Sequence, residues 1–142
     1  MIVETDDTTA IDIYTVGLFR TIAATLEDTI NVKNLEDVRL AARAIQQFTN
    51  GRSLADYQSD PLLHAAVERW FIIIGEALTR LEKLDASWAG KISDFRKIVG
   101  FRNVLVHGYE AIDDELVWKT LQDYLPILLG EVESQIAALE QT

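Results

Sequence analysis

Apolar residues recur every three or four positions nearly throughout the chain, which is the spacing of one face of an α-helix. Ile11, Tyr14, Leu18, Ile22 and Leu26 predict a first helix from about Thr9 to Ile30. Val38, Ala41, Ala42, Ile45 and Phe48 predict a second, with Asn34 as its N-cap and Asn50-Gly51 as its end. Ser53-Leu54-Ala55-Asp56 reads as a short capped turn. Asp60-Pro61 pairs an N-cap with a proline at the first helical position, and so opens a long helix to about Leu84. Leu63, Val67, Trp70, Ile74, Ala77, Leu78 and Leu81 form one face of it, and Phe71, Ile72 and Ile73 widen that face. It is expected to be the central helix, or one that also meets a partner subunit. Ser93 or Asp94 should cap the next helix, which carries Phe95, Ile98, Val99, Phe101, Val104 and Leu105 and ends at Gly108. Asp113 and Asp114 start another, Pro126 stops or kinks it, and Ile127 to Leu139 form a last amphipathic segment. No stretch alternates as a strand does. The predicted class is all-α, an up-and-down bundle of four to five helices in one domain over residues 1–142, with about residues 1–8 disordered.

Composition narrows the function classes. The chain has 142 residues, 49% of them apolar, enough for one domain with a sizeable core. It has no cysteine, so neither disulfides nor thiolate metal sites are expected, which fits a reducing, cytoplasmic setting. The first residues are acidic and do not resemble a secretion signal, and the near-apolar run from Trp70 to Ile74 is too short to span a bilayer. The net charge of −10 argues against a general nucleic-acid coat protein. The charge is uneven, however. Arg69, Arg80, Lys83, Lys91, Arg96, Lys97 and Arg102 face only Glu76, Glu82, Asp85 and Asp94 between residues 69 and 102, so that stretch could be a local anion-binding patch.

Chemistry concentrates in Arg102-Asn103-Val104-Leu105-Val106-His107-Gly108-Tyr109. Arginine binds phosphate oxygens bidentately, and histidine passes protons near neutral pH. No carboxylate cluster for Mg²⁺ is evident nearby, because Glu110, Asp113 and Asp114 read as caps of the next helix. No metal or cofactor is therefore expected. Asn103 and His107 share a helix face, whereas Arg102 and His107 lie about 140° apart around a regular helix. The two could meet on one phosphate if the helix end bent at Gly108, or if a second chain supplied part of the site. The same residues also fit a plain helix terminus, with Arg102 in a salt bridge and His107 near the last carbonyls. His64 reads as a partly exposed helix residue without a further ligand at metal spacing.

The run Phe101 to Tyr109 resembles the signature of the HEPN superfamily, an arginine and a histidine with four to six residues between them. Its arginine–asparagine pair and histidine-x-tyrosine ending are similar to those of the HepT branch. Ile73-Ile74-Gly75-Glu76-Ala77, Phe95-Arg96-Lys97-Ile98-Val99-Gly100, and Val117-Trp118-Lys119-Thr120 with Asp123-Tyr124-Leu125-Pro126 resemble flanking pieces of that branch. The match runs from roughly Val38 to Leu139, and the first thirty or so residues are less typical, as an extended first helix would be. The resemblance implies a metal-independent endoribonuclease toxin that dimerises through the motif region and cleaves RNA, tRNA rather than mRNA. It implies that Arg102 and His107 are catalytic, that Asn103 supports them, that Arg96 and Lys97 help hold RNA, and that Glu76 is a structural partner of Arg102. It also implies that Tyr109 is AMPylated by a nucleotidyltransferase antitoxin of the MntA kind. Gly108 stands where many members have an acidic residue. The alternative class is a non-catalytic helical module that assists a nucleotidyltransferase, and a plain structural dimer is a third.

Overall fold

The computed structural model describes the backbone of residues 2–108 and 112–141, and the side chains of 13–108 and 112–141. The expectations for Tyr109, for Glu110 and for the side chains of about residues 1–8 lie outside these. The described residues are helical with short connections, and no strand occurs among them. The expected all-α class is therefore the observed one. No described helix is long and apolar enough to cross a membrane.

Helix α1 is Ile2–Thr49, α2 is Leu54–Ser59, α3 is Pro61–Leu84, α4 is Phe95–His107, α5 is Asp114–Lys119 and α6 is Leu125–Glu140. A 3-10 turn, Ala86–Gly90, leads from α3 toward α4. By its internal contacts the chain forms two units, one up to Asn31 and one from Val32 onward.

The later unit holds the core. α1 contributes Leu35, Val38, Ala42 and Ile45; α3 contributes Val67, Phe71, Ile74, Leu78 and Leu81; α4 contributes Ile98 and Leu105. Leu121, Leu125, Leu128, Val132 and Ile136 close it from the C-terminal side. The stripe of residues 38–45 and that of α3 are largely buried as expected, but the expected first stripe is not: Tyr14, Leu18, Ile22 and Leu26 are exposed, as are Val104 and Ile127. Phe48 and Trp70 also stay partly exposed and stack on each other, with ring centroids 5.2 Å apart.

The caps explain why several elements start where they do. Asp60 Oδ1 accepts the amides of Leu62 and Leu63 at 3.1 Å, fixing the start of α3 ahead of Pro61. Ser53 and Asp56 form a reciprocal capping box on α2. Gly51, with φ of 74°, makes the left-handed turn after α1 that a side chain would resist.

Three boundaries differ from the sequence reading. Asn34 does not cap a new helix: α1 runs through it, and its buried side chain accepts Arg80 Nε at 2.9 Å. Tertiary pairing thus uses a residue whose local preference is for a helix start. Asp94 sits at the N-cap of α4 but in a left-handed conformation (φ 54°), and neither it nor Ser93 caps through its side chain. Pro126 neither stops nor separates the last helix. The π turn Thr120–Tyr124 lies just before it, and a wider turn there accommodates the missing proline N–H and the ring.

Candidate active site

The site is built on the α3–α4 contact. Phe101 of α4 meets Phe71 of α3 edge-to-face at 5.2 Å, and Ile98 and Leu105 are buried on the same side. Burying that stripe turns Arg102 toward α3. There Gly75 is buried, and a Cβ on it would overlap the Cβ and Cγ of Arg102. A glycine in a helix interior is unfavourable by about 1 kcal/mol relative to alanine, so its presence here has a packing reason: it lets the arginine stem lie flat on α3.

The guanidinium is held from two sides. Its Nη1 donates to Asn103 Oδ1 at 2.8 Å, and its Nη2 is 3.6 Å from Glu76 Oε1. Its Nε is buried without a hydrogen-bond partner. Glu76 thus stands beside Arg102, and both side chains of the pair are partly buried. Apart from the buried Nε–H, the remaining guanidinium N–H groups and the Asn103 NH2 group can donate to an incoming anion.

Along α4, the exposed residues Arg96, Gly100, Asn103 and His107 follow one face, with Lys97 and Val104 beside it. His107 is exposed, and among the described residues it makes no hydrogen bond or ion pair. The helix stays regular through His107, and the chain leaves it only at Gly108 (φ −86°, ψ 84°). The bend therefore comes too late to turn His107 toward Arg102 within one chain. A Cβ on Gly108 would stand 2.5 Å from the Val104 carbonyl oxygen, so a side chain at this position does not fit this backbone.

The basic stretch is less free than its composition suggested. Arg96 makes a two-point pair with Glu82 at 2.9 and 2.5 Å, Arg80 pairs with Asp37 at 3.5 Å, and Arg102 faces Glu76. Lys97, 3.7 Å from Asp94 and 85% exposed, is more available than Arg96, whose guanidinium is held at two points by Glu82. On the next face of α4, an apolar cavity of about 410 Å³ lies among Ile98, Phe101, Val104, Leu116, Thr120 and Tyr124. It contains none of Arg102, Asn103 and His107. Burial of Tyr124, whose hydroxyl donates to the Ser93 carbonyl at 2.7 Å, pushes its phenol above the usual range.

The other histidine has a different setting, which the sequence did not reveal. His64 Nε2 is 2.7 Å from Asp114 and Nδ1 is 3.2 Å from Glu68, and the ring stacks on buried Tyr57 at 4.6 Å. The two carboxylates approach opposite ring nitrogens, so they do not converge on a common point where a cation would sit. Burial, with the neighbouring Asp114, raises the Glu68 carboxyl above its usual range, while His64 opposes the shift. The Tyr57 phenol is pushed up by burial and by Glu68 and Asp114.

An all-helical bundle that pins an arginine–asparagine pair on its central helix contact, with an exposed histidine at the end of the same helix, defines a recognisable class. A family model described as HepT-like, "Ribonuclease HepT-like", matches residues 38–134. The chain belongs to that family. It is 31% identical over 99 residues to "Probable ribonuclease HepT" of Thermococcus cleftensis, covering 70% of this chain and 89% of that one. A "Putative RNase" of Caldanaerobacter subterraneus is 29% identical over 107 residues, covering 75% and 91%. Another, of Methanocaldococcus jannaschii, is 31% identical over 99 residues, covering 70% and 90%. No solved structure matches this chain. The matched span contains Arg102, Asn103, His107 and Glu76, and it begins after the first unit ends.

Proposed function

We propose that this protein is a metal-independent endoribonuclease, the toxin of a toxin–antitoxin pair, with Arg102 and His107 as its catalytic residues. The observation that carries the reading is the contrast within α4: Arg102 is fixed by Gly75, Asn103 and Glu76, while His107 is exposed five residues later. A fixed guanidinium suits the charge that develops on a phosphate in the transition state. An exposed imidazole suits proton transfer.

In this reading the RNA 2′-oxygen attacks the adjacent phosphorus and the bond to the 5′-oxygen breaks. His107 takes the 2′-hydroxyl proton or gives one to the leaving oxygen. The products are a 2′,3′-cyclic phosphate and a 5′-hydroxyl. Lys97 and Arg96 guide the RNA backbone along α4, and the substrate is tRNA rather than mRNA. Because Arg102 and His107 lie about 140° apart on a straight helix, the site is assembled across a two-fold axis from the motif regions of two copies. Tyr109 is the switch: a nucleotidyltransferase antitoxin places AMP on it, and the added anion repels RNA beside His107.

The test is incubation of purified protein with tRNA and with mRNA in EDTA, beside His107→Ala and Arg102→Ala. Cleavage by the wild type alone, leaving cyclic phosphate ends, is the expected result. Equal survival of RNA in all three samples overturns the nuclease reading and favours a non-catalytic binding module. A requirement for added Mg²⁺ overturns the mechanism. Mass spectrometry of Tyr109 after co-expression with a nucleotidyltransferase of the MntA kind reads the switch separately.

A further inference from the structure

The first unit of the chain carries an apolar surface that nothing described covers. Ile13, Tyr14, Val16, Leu18, Phe19, Ile22, Leu26 and Ile30 are between 46% and 75% exposed. Scattered exposed apolar side chains are ordinary, as Ile13 and Val16 are here, but a contiguous row is not, and the other six form one. Taking Ile22 as the reference, Tyr14, Leu18, Phe19, Leu26 and Ile30 all lie within about 80° of it around the helix. Arg20, Glu27 and Asp28 lie about 120° or more away. Between residues 13 and 30 the face is therefore broad and free of charge, and Arg20, Glu27 and Asp28 sit behind it.

The threonines on this helix are suited to losing water. Thr21, Thr25 and Thr29 each donate to the carbonyl four residues earlier, at 3.0, 3.0 and 2.9 Å. Thr25 and Thr29 fall on the apolar face itself, and covering that face leaves neither of these hydroxyls without a partner. A lone helix exposed on this scale is also marginal in water, because most helical stability in proteins comes from packing an apolar side.

We infer that this face pairs with the same face of a second copy of the chain. Three observations select that occupant. A partner recognised by charge would need charges flanking the apolar face, and here they lie opposite it. An anionic lipid surface calls for Lys and Arg on the polar side, whereas that side carries Arg20 against Glu27 and Asp28. An isologous pair, by contrast, needs only a self-complementary surface, and an uncharged face meets its own copy without repulsion. The area suffices: covering the six central side chains removes roughly 600 Å² from each helix, or about 1,200 Å² in a pair, the lower edge of stable interfaces. This interface is separate from the motif region and does not depend on the nuclease reading.

Sedimentation equilibrium of the full chain tests the pairing. The double variant Leu18→Glu/Ile22→Glu places charge in the centre of the face, and Arg20→Glu places it behind. The double variant should self-associate at least tenfold more weakly than the wild type, in dissociation constant or by loss of half the mass, and Arg20→Glu should match the wild type; a second contact between copies at the motif region leaves this difference readable. Equal self-association of the wild type and the double variant overturns the pairing, even if the helix then binds phospholipid vesicles or another protein. Weakened self-association in Arg20→Glu alone overturns the assignment to this face.

Discussion

The two histidines of this chain show how little residue type says by itself. His64 and His107 both lie on helices, one in a first turn and one in a last. His64 is held on three sides, by Asp114, Glu68 and the Tyr57 ring. Each contact adds order, and together they join α2, α3 and α5. His107 has no such support among the described residues and faces outward on the helix that fixes Arg102. A histidine with both nitrogens engaged has no free position for a substrate proton. A histidine with neither engaged adds little to the fold. The first therefore reads as structural and the second as chemical, and substitutions should separate them cleanly.

The largest effect belongs to His107→Ala. Removing a general acid or base typically costs 10²- to 10⁴-fold in rate, and RNA cleavage should fall by about that factor. The unfolding midpoint should stay within about 1 °C, because an exposed side chain with little packing is lost. A large loss of stability would erase the contrast with His64. Arg102→Ala should reduce cleavage by about 10²- to 10³-fold, the usual cost of a transition-state donor. Arg102→Lys should not restore it, since an ammonium cannot reach Asn103, Glu76 and a phosphate together.

Gly75→Ala comes next. It adds one methyl where the Arg102 stem already lies, and α3 and α4 have to move apart. Overpacking of this kind costs about 1–3 kcal/mol, which chemical denaturation would measure. Cleavage should fall with it, because the guanidinium shifts. A variant that loses stability and keeps full activity would show that the position of Arg102 is not set by α3. His64→Ala should give the converse pattern, a loss of about 1–2 kcal/mol with cleavage unchanged.

Much of the fold was legible because apolar spacing and caps are local. Asp60-Pro61 announced α3, and the stripe of residues 38–45 in α1 and that of α3 named much of the core, whereas the earlier stripe of α1 is exposed. Local logic failed where a distant partner decided the outcome. Asn34 looks like a helix start from its neighbours alone, yet Arg80, far along the chain, holds it inside a helix. The residues of the motif were visible from their spacing, and so was the 140° problem between Arg102 and His107. Gly75 was visible only as part of a resemblance; its real signal was a glycine in the middle of an otherwise strong helix. The His64 cluster had no signal, since Asp114 lies fifty residues away and its own neighbours cast it as a cap. The continuity of α1 was missed because a polar stretch around Asn31 to Asn34 resembles a break.

Glu68→Gln gives the smallest effect and probes the His64 side of the contrast. Burial, and then Asp114, hold the Glu68 carboxyl above its usual value of 4.5, against the pull of His64. A raised carboxyl value means that the folded protein binds the proton more tightly than the unfolded chain does. The associated stability is complete below the unfolded value and is lost as pH rises through the folded one. At pH 7 the charged Glu68 therefore weakens the fold, and glutamine, which has the shape of the protonated acid, removes that loss. The variant should be more stable than wild type at pH 7 by less than about 1 kcal/mol, because solvent screens the partly exposed group. At pH 4 the two should unfold at the same temperature. A lower midpoint for the variant at pH 7 would mean that the ion pair with His64 outweighs burial, and that this histidine is held by charge on both nitrogens.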